Sequence, residues 1–183
     1  STSLPLPFAT FSRICISVTT LRACCCTVRE FSPRIAVVLG VWGVESNFGR
    51  ITGGRPLLQS LGTLSCFGRR QGYFRTEFAS ALRIVQEGSI SADKLKGSWA
   101  GAFGQTQFMP STFLRTAVDF DGDGRRDLID NVPDALASTA NFLRKAGYVS
   151  NQPWGYEVKL PAGFDASQAG RRNRRNVAHW AAQ

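Results

Sequence analysis

The sequence is poor in the residues that most often carry proton and metal chemistry. Its 183 residues include one His, His179, and one Met, Met109. A Ser-His-Asp triad would have to run through His179, and no nucleophile-elbow pattern accompanies it. The five cysteines, Cys15, Cys24, Cys25, Cys26 and Cys66, form no Cys-x-x-Cys pair. Three adjacent thiols cannot easily converge on one ion, and an odd count leaves no complete disulfide framework, so neither a zinc site nor a stapled scaffold is expected. Long apolar runs are also missing. The longest, Ile35 to Val44, is ten residues, against the ~20 that a bilayer-spanning helix needs. No transmembrane segment is expected. Arg13 and Arg22 break the apolar stretch near the start, so no export signal is evident in the chain.

Negative charge is scarce over most of the length. Thirteen acids face 22 Lys and Arg, a net charge of +9, and only four of those cations are Lys. Five of the acids (Asp119, Asp121, Asp123, Asp127 and Asp130) fall within twelve residues, which leaves the rest more basic still. Such a surface suits an anionic partner, either nucleic acid or an acidic envelope polymer. No reading helix or aromatic platform accompanies the charge, so nucleic acid is not the expected partner. With 43% apolar and 19% charged residues the composition is that of an ordinary globular chain.

The patterning is predominantly helical. Residues 1–31 show no sustained period and form a poorly defined first segment. Ser32-Pro33 pairs an N-cap hydroxyl with Pro at the first helical position. It opens an apolar run, Ile35 to Phe48, that stops at Gly49 and predicts a buried helix. No element is assigned from there to Arg69. A second helix is expected from Arg69 to Glu87, with Phe74, Phe78, Leu82 and Val85 on its apolar face, ended by Gly88. Gly97 to Gly104 predicts a tight loop before a short helix after Pro110. Another helix starts at Pro133 and presents Leu136, Ala140 and Leu143. These residues, 32–150, read as one domain, and 151–183 as an irregular C-terminal segment with a solvated run at Arg171–Arg175.

Between the last two helices, Asp119-Phe-Asp-Gly-Asp-Gly-Arg-Arg-Asp-Leu-Ile-Asp130 has the spacing of an EF-hand calcium loop. Carboxylates occupy positions 1, 3, 5, 9 and 12, Gly124 fills position 6, and Arg125 stands at position 7, where the backbone carbonyl serves. Carboxylates packed this closely repel one another unless a cation lies among them. Two positions depart from the pattern: Asp130 is shorter than the usual Glu, and Arg126 replaces an aliphatic residue at position 8.

Glu45 is the notable acid elsewhere. Only Glu45, Glu77, Glu87 and Asp93 lie between Phe31 and Val118. Glu77 and Glu87 read as surface positions, whereas Glu45 ends the apolar helix. Burial there, and the negative end of the helix dipole, would both disfavour its charged form. A general acid at neutral pH needs that shift. A structural Glu paired with an Arg is the competing reading.

Gly40-Val-Trp42-Gly-Val-Glu45-Ser46-Asn47-Phe-Gly49, the block from Lys96 to Ser111 and the acidic loop together resemble the B-type lytic murein transglycosylases. The resemblance runs from about Phe31 to Tyr148 and implies a mainly α, lysozyme-like fold with an EF-hand-like structural Ca²⁺ site. By this resemblance Glu45 is the single catalytic acid and base. Ser98, Gln107 and Gln105 line the glycan cleft, Arg69 and Arg70 contact the stem peptide, and Tyr73 offers a wall for a sugar ring. The implied reaction cleaves the β-1,4 bond between MurNAc and GlcNAc and leaves 1,6-anhydro-MurNAc ends, with no cofactor for catalysis. Peptidoglycan would be the partner, the periplasm or cell envelope the location, and a monomer the working form. The family's cleft-lining Tyr-Asn pair has no counterpart before Gln183. A murein- or calcium-binding module without catalysis and a hydrolytic muramidase are the alternatives.

Overall fold

The computed structural model describes residues 35–152, 155, 157–170 and 172–182. Ser32-Pro33, Trp154, Arg171 and all cysteines except Cys66 lie outside the described residues. The chain divides into two compact units between Ser150 and Asn151.

In the first unit, α1 spans Ile35–Ser46, α2 Leu57–Phe67, α3 Gln71–Gln86, α4 Pro110–Thr116 and α5 Val132–Lys145. A two-residue ladder pairs β1 (Arg55–Pro56) with β2 (Lys96–Gly97), antiparallel, with Arg55 opposite Gly97. The structure is mainly helical, as the patterning predicts. Helix α2 is the element that the sequence reading left unassigned. Its Leu57 and Leu61 recur at helical spacing and are fully buried, but Gly53, Gly54, Pro56 and Gly62 around them carry the signature of a loop.

Two apolar clusters hold this unit. The larger joins α2, α3 and α4 through Leu57, Leu61, Ala81, Ile84, Phe103 and Phe113. The smaller joins α1 to α5 through Val38, Trp42, Leu136 and Ala140. Helix α1 therefore buries one stripe, Val38, Trp42 and Ser46, rather than its whole circumference. Helix α3 packs Phe74, Phe78 and Val85 of its expected face against the larger cluster, but its most deeply buried line lies to one side of them. Glu77, Ala81 and Ile84 are its buried residues, while Leu82 is 47% exposed. Helix α5 begins as its sequence dictates: Asn131 caps the Asp134 amide at 3.1 Å and Pro follows inside the first turn.

The second unit is largely irregular. It contains a 3-10 turn at Ala166–Gln168, capped by Asp165, and helix α6, Val177–Ala181, capped by Asn176. Phe164 meets Trp180 with ring centres 6.3 Å apart. Among the described residues no helix is long and apolar enough to cross a membrane.

Candidate functional site

Glu45 lies in the last turn of α1, and its neighbours are fixed. Trp42 is 5% exposed and donates its indole N–H to Gln105 Oε1 at 2.9 Å. Ser46 is buried, and its hydroxyl donates to the Gln105 carbonyl while accepting the Gly49 amide at 2.8 Å. The chain then leaves the helix through three consecutive left-handed residues, Asn47 (φ 50°), Phe48 (φ 58°) and Gly49 (φ 81°). A side-chain-bearing residue in that region stores about 1–3 kcal/mol and persists only where its surroundings over-determine it. Glu45 itself is exposed, which corrects the expectation of a buried carboxylate: the buried stripe of α1 runs through Val38, Trp42 and Ser46, and Glu45 lies off it beside the exposed Val44. Among the described residues no hydrogen bond or ion pair holds its carboxylate.

The strip beyond this turn meets two of the expected cleft residues, Gln107 and Ser98. Gln107 Nε2 donates to the Thr52 carbonyl and to the Gly104 carbonyl, both at 3.0 Å. Gly53 abuts β2 so closely that a Cβ there would lie 2.4 Å from Gly97 and 2.8 Å from the Ser98 amide nitrogen. Ser98 Oγ accepts the Ala102 amide at 3.0 Å, which leaves its own proton free to donate outward. Thr52 and Gly53, which Gln107 and Ser98 meet, follow Glu45 by seven and eight residues in the chain. Trp99, which the sequence reading passed over, is 66% exposed directly after Ser98.

Arg69, Arg70 and Tyr73 occupy the α2–α3 corner. All three are exposed, and the Arg70 guanidinium lies 4.3 Å from the centre of the Tyr73 ring. Among the described residues neither arginine is in an ion pair. Partial burial, and then the charge of Glu77, raise the Tyr73 hydroxyl above its ordinary value. Glu77 is a correction to the surface reading. It is 2% exposed, and its carboxylate accepts the Ser111 amide at 2.9 Å and the Ser111 hydroxyl at 2.7 Å. A carboxylate at the first turn of a helix satisfies donors that have no partner within it.

The acidic loop also departs from the expected set. Asp119, Asp121 and Asp134 place carboxylate oxygens within 4.8 Å of one another. Asp134, fully buried, lies beyond the twelve loop positions and folds back from the first turn of α5 to accept the Phe120 and Asp127 amides, each at 2.8 Å. Burial raises its carboxyl above the usual range, and the nearby Asp121 and Asp119 add to this, while the two amides oppose it. Asp130 instead pairs with Lys94 at 2.6 Å. Asp127 caps the Ile129 and Asp130 amides, and Asp123 caps Arg125. Arg126 fills the aliphatic position by lying 5.2 Å from the Phe113 ring centre and pairing with Glu87 at 2.7 Å. Three converging hard oxygen donors, with Gly122 and Gly124 in left-handed turns (φ 76° and 85°), fit the chemistry of a Ca²⁺ ligand set. Of the expected loop positions Asp119 and Asp121 fall in this cluster, Asp134 joins it from outside the loop, and Asp123, Arg125, Asp127 and Asp130 are not in it.

Gln105, expected to line the cleft, is held in place by its neighbours. Its amide is engaged on both sides, with Oε1 on Trp42 and Nε2 donating to the Ile129 carbonyl at 3.0 Å.

Comparison with known proteins gives one consistent family. The family model described as Transglycosylase SLT domain matches residues 27–183. Membrane-bound lytic murein transglycosylase B of Escherichia coli (strain K12) is 40% identical over 134 residues, 70% of this chain and 37% of its own length. SltB3 from Pseudomonas aeruginosa in complex with NAG-NAM-pentapeptide is 43% identical with a TM-score of 0.80, over 90% of this chain and 44% of that one. The Escherichia coli lytic transglycosylase Slt35 in complex with calcium is 35% identical with a TM-score of 0.70, over 74% of this chain and 43% of that one. The chain thus spans less than half the length of each of these relatives. With a family match across most of the sequence and a solved relative at 43% identity, the chain belongs to the Transglycosylase SLT family, on its B-type lytic branch.

Proposed function

We propose that this chain carries the glycan-cleaving site of a lytic murein transglycosylase of the bacterial envelope. The observation that supports it most is the pairing of an uncommitted carboxylate, Glu45, with a turn whose other members are pinned by side-chain and backbone hydrogen bonds. Fixed geometry around a proton-transfer group is what acid–base catalysis needs. Glu45 protonates the glycosidic oxygen between N-acetylmuramic acid and N-acetylglucosamine, and the bond to C1 breaks. The substrate's own N-acetyl group shields the positive C1, so a second carboxylate is not required. Glu45, now ionised, takes the proton of the muramyl 6-hydroxyl as that oxygen attacks C1. A 1,6-anhydro ring closes and Glu45 regains its proton. Ser98 and Gln107 line the cleft beside it. Arg69 and Arg70, exposed and unpaired among the described residues, are available for stem-peptide carboxylates.

A structural Ca²⁺ belongs to the same reading. Asp119, Asp121 and Asp134 would hold it, and its two positive charges would offset most of their mutual repulsion. The proton transfers run through Glu45 and do not use the ion.

Mass analysis of the products from purified murein tests the reaction. Anhydro-ended muropeptides, one water lighter than reducing ends, are the expected result. Reducing ends would make the protein a hydrolase, and the absence of products would make it a binding module. Glu45→Gln should cut the rate by about 10²–10⁴, the range of general acid–base catalysis. Cleavage within about tenfold of the parent would remove Glu45 from this role.

A further inference from the structure

The left-handed run Asn47-Phe48-Gly49 must be held by something outside α1, because a bulky Phe rarely adopts that backbone and even Asn does so as a single residue rather than in a run. Its holders converge on one residue. Gln105 accepts the Ser46 hydroxyl on its carbonyl and the Trp42 indole on its side-chain oxygen. A Cβ on Gly49 would lie 2.0 Å from Gln105 Oε1, so the turn packs directly on the amide. Gln105 is itself anchored from the opposite side. Its backbone amide donates to the Leu128 carbonyl at 2.7 Å, and Nε2 donates to the Ile129 carbonyl at 3.0 Å. Leu128 is fully buried.

We propose that Gln105 is a positioning residue for Glu45. Its amide fixes the exit turn of α1 against the end of the acidic loop and so sets the direction from which the Glu45 carboxylate leaves the helix. The catalytic part of this proposal rests on the function proposed above, whereas the structural part does not. A glutamine with both ends of its amide engaged has little capacity left for a sugar, so its effect is on turnover rather than on affinity.

The test compares the parent chain with Gln105→Ala and Trp42→Phe, the second of which removes the indole donor with part of the buried ring volume and keeps an aromatic ring beside Phe48. Two readouts are taken: steady-state kinetics on soluble glycan-peptide strands, and the Gly49 amide followed by NMR shift and hydrogen exchange. The expected result for both variants is a fall in kcat, about 10- to 100-fold for Gln105→Ala, with KM within about twofold. The Gly49 amide should shift and exchange faster, while the amides of α3 stay unchanged. A raised KM with unchanged kcat and an unmoved Gly49 amide would overturn the proposal and make Gln105 a sugar ligand. If the parent cleaves nothing, the reaction reading fails separately, and the Gly49 amide alone decides whether Gln105 fixes the turn. If Gln105→Ala does not fold, Trp42→Phe decides by the same two readouts.

Discussion

At Glu77 a carboxylate that is 2% exposed caps the start of α4 through both Ser111 donors. The price of burying a charge is met here by two hydrogen bonds and by the positive end of a short helix. Glu77→Ala should cost about 1.5–3 kcal/mol, the range for a hydrogen bond to a charged group. It would be read as a lower midpoint in chemical unfolding. Glu77→Gln keeps the shape and one acceptor and should recover part of the loss. Equal midpoints for parent and Ala variant would mean that Ser111 finds other partners at no cost. Nothing in the local sequence announces this role. Glu77 has polar neighbours at helical spacing and reads as a surface residue until α4 is brought against α3. Glu45 was legible for the opposite reason, since it is the one charge in an otherwise uncharged helix. Its exposure was not legible, because which stripe of an apolar helix is covered depends on the partner. Here that partner is α5.

At the scale of elements, the acidic loop separates what spacing can and cannot say. The helix–loop–helix and the turn glycines follow from local chemistry. The carboxylate cluster does not, because Asp134 reaches back from four residues past the last loop position and Asp130 is drawn to Lys94, 36 residues away. A variant pair distinguishes the two ligand sets. Added Ca²⁺ should raise the melting temperature of the parent, with stabilisation of ~2.7 kcal/mol at a free concentration a hundred times Kd. Asp121→Asn should abolish that response, and Asp130→Asn should retain it. Loss of the response only in Asp130→Asn would restore the twelve-position set, and no response in the parent would leave a metal-free acidic turn. The sign with pH also follows. The Asp134 carboxyl is raised chiefly by burial, so protons compete with the ion at higher pH than at an ordinary Asp, and the Ca²⁺ response should fade as pH falls through that raised value. Helix α2 marks the other limit of local reading: its glycines and proline speak for a loop, and tertiary burial of Leu57 and Leu61 overrides them.

For the first unit as a whole, the decisive arrangement is one segment, Gly97 to Ser111, that gives Phe103 and Phe108 to the larger apolar cluster and its polar groups to distant parts of the chain. Its side chains and backbone tie partners far apart in sequence: Trp42 to Gln105 over 63 residues, Thr52 to Gln107 over 55, Glu77 to Ser111 over 34 and Gln105 to Ile129 over 24. The α2–α3 pair, by contrast, is joined by a short corner and packs on its immediate neighbour. Contacts between distant parts of a chain can be rewarded only after the loops between them have closed. The consequence concerns the order of assembly. The helical pair can form as a local unit, and the segment that carries Ser98, Gln105 and Gln107 locks into place afterwards. Regions of lower local stability open first. Native-state hydrogen exchange should therefore show the Gln105 and Gly49 amides opening at lower free energy than the mid-helix amides of α3, and equal values would mean that the unit unfolds in a single step. On that ordering the segment would be completed last during folding and lost first on denaturation, and the exchange experiment should then show molecules with full helix content and a disassembled Glu45 turn ahead of global unfolding.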